Sequence, residues 1–329
     1  LFRLINMATI GLSIFWLSLC MFRKGDQVLV VTAPPSLPIT TTAACLLRGA
    51  ELTLLVQDSY PEILVAVGAA RPNSPFVYLV HSLNQWVYKY ASKIIVMGRD
   101  MKELFERKTA GLNVPVVIIP NWADIDNISP EKRADNRLLE ELDLSEKFVL
   151  LYAGNIGHPT DVETIVSAAH SLVEKAEIHF IFIGAGVKKK WLEREAAALP
   201  NMTVLDYRPW AEQSSFLNAC DVGLVALKTG MWGTAMPSRT YNIMAAGKPL
   251  LALTDQGSEL ARVIDEESVG WHIPPGDPEA LKDAIIAMSA ARTELFQMGV
   301  RARKAAVSKY SPTKAIEAYS RALRRGRSL

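Results

Sequence analysis

The sequence is poor in the residues that build disulfide frameworks and metal centres. Its 329 residues include three cysteines, Cys20, Cys45 and Cys220, which lie far apart in the chain. An odd number at these distances fits neither a disulfide framework nor a metal-ligand spacing, so we predict a reducing compartment. The five histidines are equally scattered, and we therefore expect no zinc site.

The chain also lacks a marked excess of either charge. Its 36 basic and 34 acidic residues leave a formal net charge of +2. Proteins that bind the phosphate backbone usually carry a concentrated basic face, so we do not expect nucleic acid as a partner. A hydrophobic share of 50% without low-complexity tracts is typical of a globular protein, and the length suggests two domains.

Two glycine-rich nucleotide motifs are missing. No G-x-G-x-x-G occurs, and the "GAG" at 184–186 lacks the third glycine, which disfavours a dinucleotide-dependent dehydrogenase. No G-x-x-x-x-G-K-[ST] occurs either, which excludes a P-loop NTPase.

Short apolar runs alternate with helical patterns along most of the chain. This alternation predicts parallel strands covered by helices, hence an α/β fold of two Rossmann-like, doubly wound domains. We place a complete domain at 146–306, a polar linker at 126–145 and a less complete first domain at 1–125. A final helix at 307–329 restarts after Pro312.

The chain begins inside an apolar helical stretch, with no charge from Leu4 to Phe22. Because it runs directly into a strand, we expect a core or membrane-surface helix, with a membrane span as the alternative. A sheet of this kind usually starts with a strand, so we infer that an amino-terminal portion is absent. The arginines near the end favour a solvated tail, or alternatively contact with an anionic membrane surface. These are Arg321, Arg324, Arg325 and Arg327.

The segment "MPSRTYNIMAAGKPLLALTD" at 236–255 carries the most specific chemistry. We predict a helix from Arg239 to Ala246, capped by Ser238 and ended by Gly247. Capping explains the serine but not Arg239, because a cation is unfavourable at a helix N-terminus. A bound diphosphate, held by the helix start, Arg239 and the hydroxyls of Ser238 and Thr240, would remove this conflict.

A second candidate loop follows the strand "FVLLYA". Gly154, Asn155, Ile156 and Gly157 come directly after it. Glycines there allow backbone N–H groups to approach a phosphate closely, although a tight turn is an equally good explanation.

Several segments together resemble glycosyltransferase family 4, in particular bacterial enzymes of colanic-acid, O-antigen and capsule synthesis. They are "IPNWAD", "LYAGNIG", "ACDVGLVAL", "MPSRTYNIMAAGKPLLA" and "GWHIPPGDPEAL". The resemblance implies a GT-B fold, a nucleoside-diphosphate sugar held by the second domain, retention of anomeric configuration and no metal. It also implies a last helix that crosses back onto the first domain.

The chain departs from this family at several positions. Thr234 and Asn242 stand where many members carry two glutamates, and Asn242 can still bond a ribose hydroxyl. Asn155 and Thr160 stand where many members carry Arg and Lys, and Gln57 replaces a first-domain histidine. Arg239 would then supply the positive charge that the first loop lacks.

Two carboxylates follow the strand "ELTLLVQ" and are candidates for contact with the acceptor. Asp58 and Glu62 should face the cleft at the carboxyl ends of the strands. The alternatives are a helix cap for Asp58 and a first-turn acid for Glu62.

These features predict an enzyme that moves a sugar from a nucleoside-diphosphate sugar to a lipid-linked or saccharide acceptor. We expect it in the cytoplasm or peripherally at the inner face of the cell membrane. Asp58, Glu62 and Arg239 are the catalytic candidates. The alternatives are a nucleotide-sugar 2-epimerase and a catalytically inactive nucleotide-sugar-binding or scaffold protein.

Overall fold

The computed structural model describes residues 2–323, with side chains from Thr9 onward. Three arginines of the predicted basic tail, Arg324, Arg325 and Arg327, therefore lie outside the described residues. The chain forms two compact units. Of the described residues, 2–120, 233–236 and 316–323 belong to unit 1, and 121–232 and 237–315 belong to unit 2.

Unit 1 is built on a parallel sheet of four strands in the order β1-β2-β3-β4. Its elements are α1 (Phe2–Met21), β1 (Gln27–Val31), α2 (Leu37–Arg48), β2 (Glu51–Leu55), α3 (Glu62–Ala66), α4 (Pro75–Tyr90), β3 (Ala91–Val96), α5 (Arg99–Lys108) and β4 (Val116–Ile118). The last described helix, α14 (Pro312–Leu323), belongs to unit 1 from Ile316 onward.

Unit 2 contains a parallel sheet of six strands in the order β10-β9-β8-β5-β6-β7. The strands are β5 (Phe148–Ala153), β6 (Ile178–Ile183), β7 (Met202–Leu205), β8 (Val222–Ala226), β9 (Leu250–Leu253) and β10 (Gly270–Ile273). The helices are α6 (Arg137–Glu141), α7 (Val162–Ser171), α8 (Lys189–Ala196), α9 (Gln213–Asn218), α10 (Arg239–Ala245), α11 (Glu259–Glu267), α12 (Pro278–Ala290) and α13 (Arg292–Ser308). Short 3₁₀ helices span Arg133–Asp135 and Trp210–Glu212.

The predicted α/β class with parallel sheets is confirmed. The strands β5, β6, β8 and β9 are buried along nearly their whole length, as their continuous apolar runs require. In unit 2 the strand order reverses between β5 and β8, which are neighbours in the sheet. Ligands of such sheets bind beyond the carboxyl ends of the strands at this reversal. The loops after β5 and β8 are therefore the place to look for a site.

The apolar helix α1 packs on α2. Gly11 of α1 is buried, and a Cβ there would lie 3.4 Å from Cγ2 of Thr40, so the two helices approach closely. The side chains of Trp16, Leu17 and Met21 remain exposed. Within residues 2–323 no helix is both long and apolar enough to cross a membrane. Contact with a membrane surface stays a prediction.

Candidate functional site

The loop after β5 is held by backbone packing against the loop after β6. The amide N of Gly154 donates to the carbonyl O of Ile183 at 2.9 Å. A Cβ on Gly184 would lie 2.0 Å from the carbonyl O of Gly154, and one on Gly186 would lie 2.3 Å from that of Ile156. Only glycine allows these contacts, and Gly154, Gly184 and Gly186 all have positive φ values. The local sequence thus fixes the course of the loop.

Side chains beneath this loop fix it further. The hydroxyl of Tyr152 donates to the carbonyl O of Asn155 at 2.7 Å, and that of Thr160 donates to the same oxygen at 3.2 Å. The Asn155 side chain itself is exposed. A Cβ on Gly157 would lie 3.0 Å from Nδ2 of Asn155, so this glycine leaves room for the amide. Thr160 therefore supports the loop, and Asn155 presents its side chain to solvent.

Arg239 lies against the same loop. Its Cζ is 4.4 Å from the centre of the Tyr152 ring, and a Cβ on Gly154 would lie only 2.8 Å from Cζ. The guanidinium thus sits between an aromatic face and a backbone that carries no side chain. Its Nη1 is buried and has no hydrogen-bond partner within the described chain. A buried charged donor without a partner is costly, so the arrangement is suited to an anion.

The start of α10 differs from the prediction in one respect. Ser238 occupies the position before the helix, but its backbone is already helical (φ −63°, ψ −26°) and its exposed side chain forms no capping bond. The capping prediction is therefore wrong, because a cap needs a non-helical backbone to aim its oxygen at the helix amides. The amides of Thr240 and Tyr241 donate instead to the carbonyls of Pro237 and Ser238. These two amides are not free for a ligand, and α10 ends at Ala245, one residue earlier than predicted.

Thr240 and Asn242 differ in the hydrogen-bonding groups that they leave available to a ligand. Thr240 is fully buried, and its Oγ1 has no hydrogen-bond partner among residues 2–323. The Oδ1 of Asn242 accepts from the amide N of Asp124 at 2.9 Å. Its one acceptor oxygen therefore holds a neighbouring loop, and only its Nδ2 remains for the predicted ribose contact.

The structure has a cavity beside Gly154 that the sequence analysis did not predict. It has a volume of about 150 Å³, and its lining includes Tyr207, Arg208, Trp210 and Gln213. The Oε1 of Gln213 is buried and has no partner in the part of the chain that is described. Tyr207 and Trp210 are largely exposed. The available signal was the run "YRPW", two aromatic residues and an arginine beyond the carboxyl end of β7. Flat aromatic side chains next to an orphan amide oxygen suit a planar, hydrogen-bonding group.

Unit 1 holds Asp58 at the end of β2. Its amide N donates to Oγ1 of Thr32 at 3.2 Å, and its backbone forms an antiparallel bridge with Ala235. The next residue, Ser59, donates its amide N to the carbonyl O of Thr234 at 2.8 Å. Helix α3 has Pro61 at its cap position, so Asp58 does not cap it. Asp58 lines an apolar cavity of about 220 Å³, and burial raises the pKa of its carboxyl group.

Glu62 has a different environment. Its Oε2 accepts from Nζ of Lys108 at 2.7 Å and from Oγ of Ser59 at 2.9 Å. The Lys108 side chain is only 8% exposed. Burial alone would raise the pKa of Glu62, but the charge and hydrogen bond of Lys108, with the bond from Ser59, together hold it below its usual value. Glu62 is thus a partner for a buried lysine, and it does not line the cavity that Asp58 lines.

The candidate residues therefore fall into two sets. Gly154, Asn155, Gly157 and the Ser238–Asn242 segment belong to unit 2, and Asp58 and Glu62 belong to unit 1. Among residues 2–323 no group of three or more His, Cys, Asp or Glu side chains is arranged to hold a metal ion.

Comparison with known proteins shows the family to which the chain belongs. The family model for glycosyl transferases group 1 matches residues 147–290. The probable glycosyltransferase WbjE of Pseudomonas aeruginosa is 36% identical over 309 residues, which cover 92% of this chain and 75% of that protein. The chain belongs to the glycosyltransferase group 1 family. A second relative of the chain is the putative colanic acid biosynthesis glycosyl transferase WcaI of Escherichia coli. It is 26% identical over 288 residues, which cover 85% of this chain and 70% of that protein.

Solved structures confirm the fold of the glycosyltransferase. Anabaena HepE in complex with UDP has a TM-score of 0.74 at 14% identity, covering 96% of this chain and 81% of that chain. A trehalose 6-phosphate synthase from Burkholderia multivorans has a TM-score of 0.74 at 12% identity, covering 96% and 75%. Both similarities concern the fold, which is that of GT-B glycosyltransferases.

The pairing of Glu62 with Lys108 predicts a structural role that stability measurements can test. Glu62→Gln removes one member of the buried ion pair and should lower the free energy of unfolding by about 3 kcal/mol. Because the folded state depresses the pKa of Glu62, its contribution is present above the usual glutamate pKa and is lost as pH falls through the depressed value. The difference between parent and variant, followed by urea unfolding, should therefore shrink in acid.

The double variant Glu62→Gln, Lys108→Met serves as the control, since it leaves no unpaired charge and should recover part of the loss. A stable Glu62→Gln variant that fails only in sugar transfer would instead assign Glu62 to catalysis.

Proposed function

We propose that this glycosyltransferase moves a sugar from a nucleoside-diphosphate sugar to a hydroxyl of a lipid-linked or saccharide acceptor in the synthesis of a cell-surface polysaccharide. The reaction keeps the configuration of the anomeric carbon and uses no metal. The observation that carries the proposal is the buried, unpartnered Nη1 of Arg239 beside the Gly154 loop. The polysaccharide context is supported by the name of the relative WcaI.

In this proposal Arg239 and Thr240 bind the departing diphosphate. When the bond between the anomeric carbon and the phosphate oxygen breaks, negative charge grows on the diphosphate. A fixed guanidinium stabilises this charge more than it stabilises the bound donor, which lowers the barrier. The stacking of Arg239 on Tyr152 holds the charge in place before the reaction begins. The neighbouring Thr240 hydroxyl supplies a second donor.

The cavity lined by Tyr207, Trp210 and Gln213 would bind the base of the nucleotide. It adjoins the Gly154 loop, as the base of a nucleotide whose phosphates lie at Arg239 requires. Complexes of the fold neighbour HepE with UDP and with UDP-glucose support a nucleoside diphosphate as the leaving group.

On the acceptor side, Asp58 would accept a hydrogen bond from the reacting hydroxyl and orient it. Its carboxylate accepts no hydrogen bond within the described residues, so it is available to a substrate. The proton of the hydroxyl passes either to Asp58 or to the departing phosphate oxygen as the new glycosidic bond forms.

The role of Arg239 can be tested against a matched arginine. Arg239→Gln removes the charge and should weaken UDP binding about 10-fold to 100-fold, because hydrogen bonds to charged groups contribute about 1.5–3 kcal/mol. Arg292 also stacks on an aromatic ring of β5, with its Cζ 5.7 Å from the centre of Phe148. Arg292→Gln should leave UDP affinity unchanged, as measured by calorimetry. Equal affinity in parent and Arg239→Gln, with undiminished transfer, would refute the assignment.

The raised pKa of Asp58 predicts a pH dependence of transfer. Since burial raises this pKa, the carboxylate forms only above the usual aspartate range, and transfer should rise with pH through the raised value. The same burial makes ionisation unfavourable in the folded state. The contribution of Asp58 to the free energy of unfolding therefore falls as the pH rises from the usual pKa of aspartate, which holds in the unfolded state, through the raised pKa of the folded state.

The variant Asp58→Asn should transfer sugar more slowly, and its rate should no longer rise with pH through the raised pKa of Asp58. Its affinity for UDP should be unchanged, and it should be at least as stable as the parent at neutral pH. Initial rates against pH, together with urea unfolding, measure both effects. A variant that transfers normally, or one whose main defect is lost UDP binding, would contradict the role.

A further inference from the structure

The cavity beside Asp58 is walled mainly by apolar side chains, which come from β2, α2, α4 and α5. Leu54 of β2 and Phe105 of α5 contribute to it, and α4 contributes a row at helical spacing. The row consists of Phe76, Val80, Leu83 and Val87. Phe76 is 52% exposed, so the cavity reaches the surface at the beginning of α4.

Two polar side chains of the cavity, Thr32 and Asn84, are engaged by the protein. Oγ1 of Thr32 accepts from the amides of Gln57 and Asp58, and Nδ2 of Asn84 donates to the carbonyl O of Tyr60. The Asp58 carboxylate accepts no hydrogen bond within the described residues and is open to an occupant, and the Tyr60 and Tyr88 side chains also line the cavity.

These walls disfavour a free sugar and favour a hydrocarbon. A sugar ring would bury several hydroxyls, each of which costs free energy if it lacks a partner. A cavity of 150 Å³ holds benzene, so one of about 220 Å³ has room for about nine carbon atoms. One hydroxyl at the polar end would find its acceptor in Asp58.

We propose that this cavity binds a hydrocarbon chain of about nine carbon atoms, carried by the acceptor next to the hydroxyl that Asp58 engages. The proposal rests on the function proposed above, and it specifies the acceptor as one with an alkyl group close to its reacting hydroxyl. A phospholipid offers the same kind of chain, but its phosphate would meet the negative charge of Asp58.

Binding of n-alkyl β-D-glucopyranosides tests the proposal. The series runs from methyl to dodecyl, below the micelle concentrations, and is measured by calorimetry on the full chain without nucleotide. Affinity should rise about four-fold for each added CH₂ group. The rise should stop at about nine carbons, where the cavity is full. Affinity that does not depend on chain length would overturn the proposal.

Two variants of α4 separate the cavity from the helix surface. Val80→Phe adds about four carbon atoms inside the cavity. In this variant the affinity should therefore stop rising at an alkyl chain of about five carbons. Leu79→Phe makes a similar change at a neighbouring position that is 58% exposed and does not line the cavity, so it should behave as the parent. The same chain-length profile in both variants would overturn the proposal.

The head group distinguishes an acceptor from a phospholipid and needs no change in the cavity wall. Octyl glucoside should bind the parent more tightly than octyl phosphate, and Asp58→Asn should narrow the difference. Tighter binding of octyl phosphate to the parent would contradict the proposal.

UDP binding, measured on the same preparations, distinguishes failure of the hydrocarbon site from failure of the proposed donor site. Binding of UDP without any dependence on alkyl length overturns only the hydrocarbon site. Dependence on alkyl length without UDP binding supports the site but overturns the donor assignment.

Discussion

The site in unit 2 depends on the placement of one guanidinium. Arg239 stands at the beginning of a short helix, where the helix dipole disfavours a cation. The structure offsets this in part by stacking Cζ of Arg239 4.4 Å from the centre of the Tyr152 ring, yet it leaves Nη1 buried without a partner among the described residues. An anion at this position would satisfy both the charge and the unused donor. A glycosyltransferase that releases a diphosphate supplies such an anion in every turnover.

This placement requires the loops around it to carry no side chains. Gly154 leaves room for the guanidinium, and Gly184 leaves room for the carbonyl of Gly154, which a Cβ would approach to 2.0 Å. Tyr152 serves twice, because its ring lies under Arg239 while its hydroxyl holds the carbonyl of Asn155. The guanidinium, the Tyr152 ring and the glycine backbone are thus closely packed around the position proposed for the anion.

The sequence allowed the strands to be predicted, because buried parallel strands form apolar runs. It also singled out Arg239, because a cation at a helix start is unusual, and the role of this residue stays a prediction. Whether Ser238 caps the helix could not be predicted from the sequence, because capping depends on the ψ angle of Ser238, which the preceding turn determines. The pairing of Glu62 with Lys108 joins residues 46 positions apart. The cavity beside Gly154 likewise combines loops after different strands, and the order of those strands is decided by packing rather than by local pattern.

A crystal structure of the full chain with UDP tests the central claim most directly. The account predicts a phosphate oxygen within about 2.9 Å of Nη1 of Arg239, the separation of a charge-assisted hydrogen bond. It also predicts the Thr240 hydroxyl bound to the diphosphate and the uracil ring in the cavity lined by Tyr207, Trp210 and Gln213. A diphosphate bound elsewhere, with Nη1 of Arg239 still unpartnered, would contradict the account.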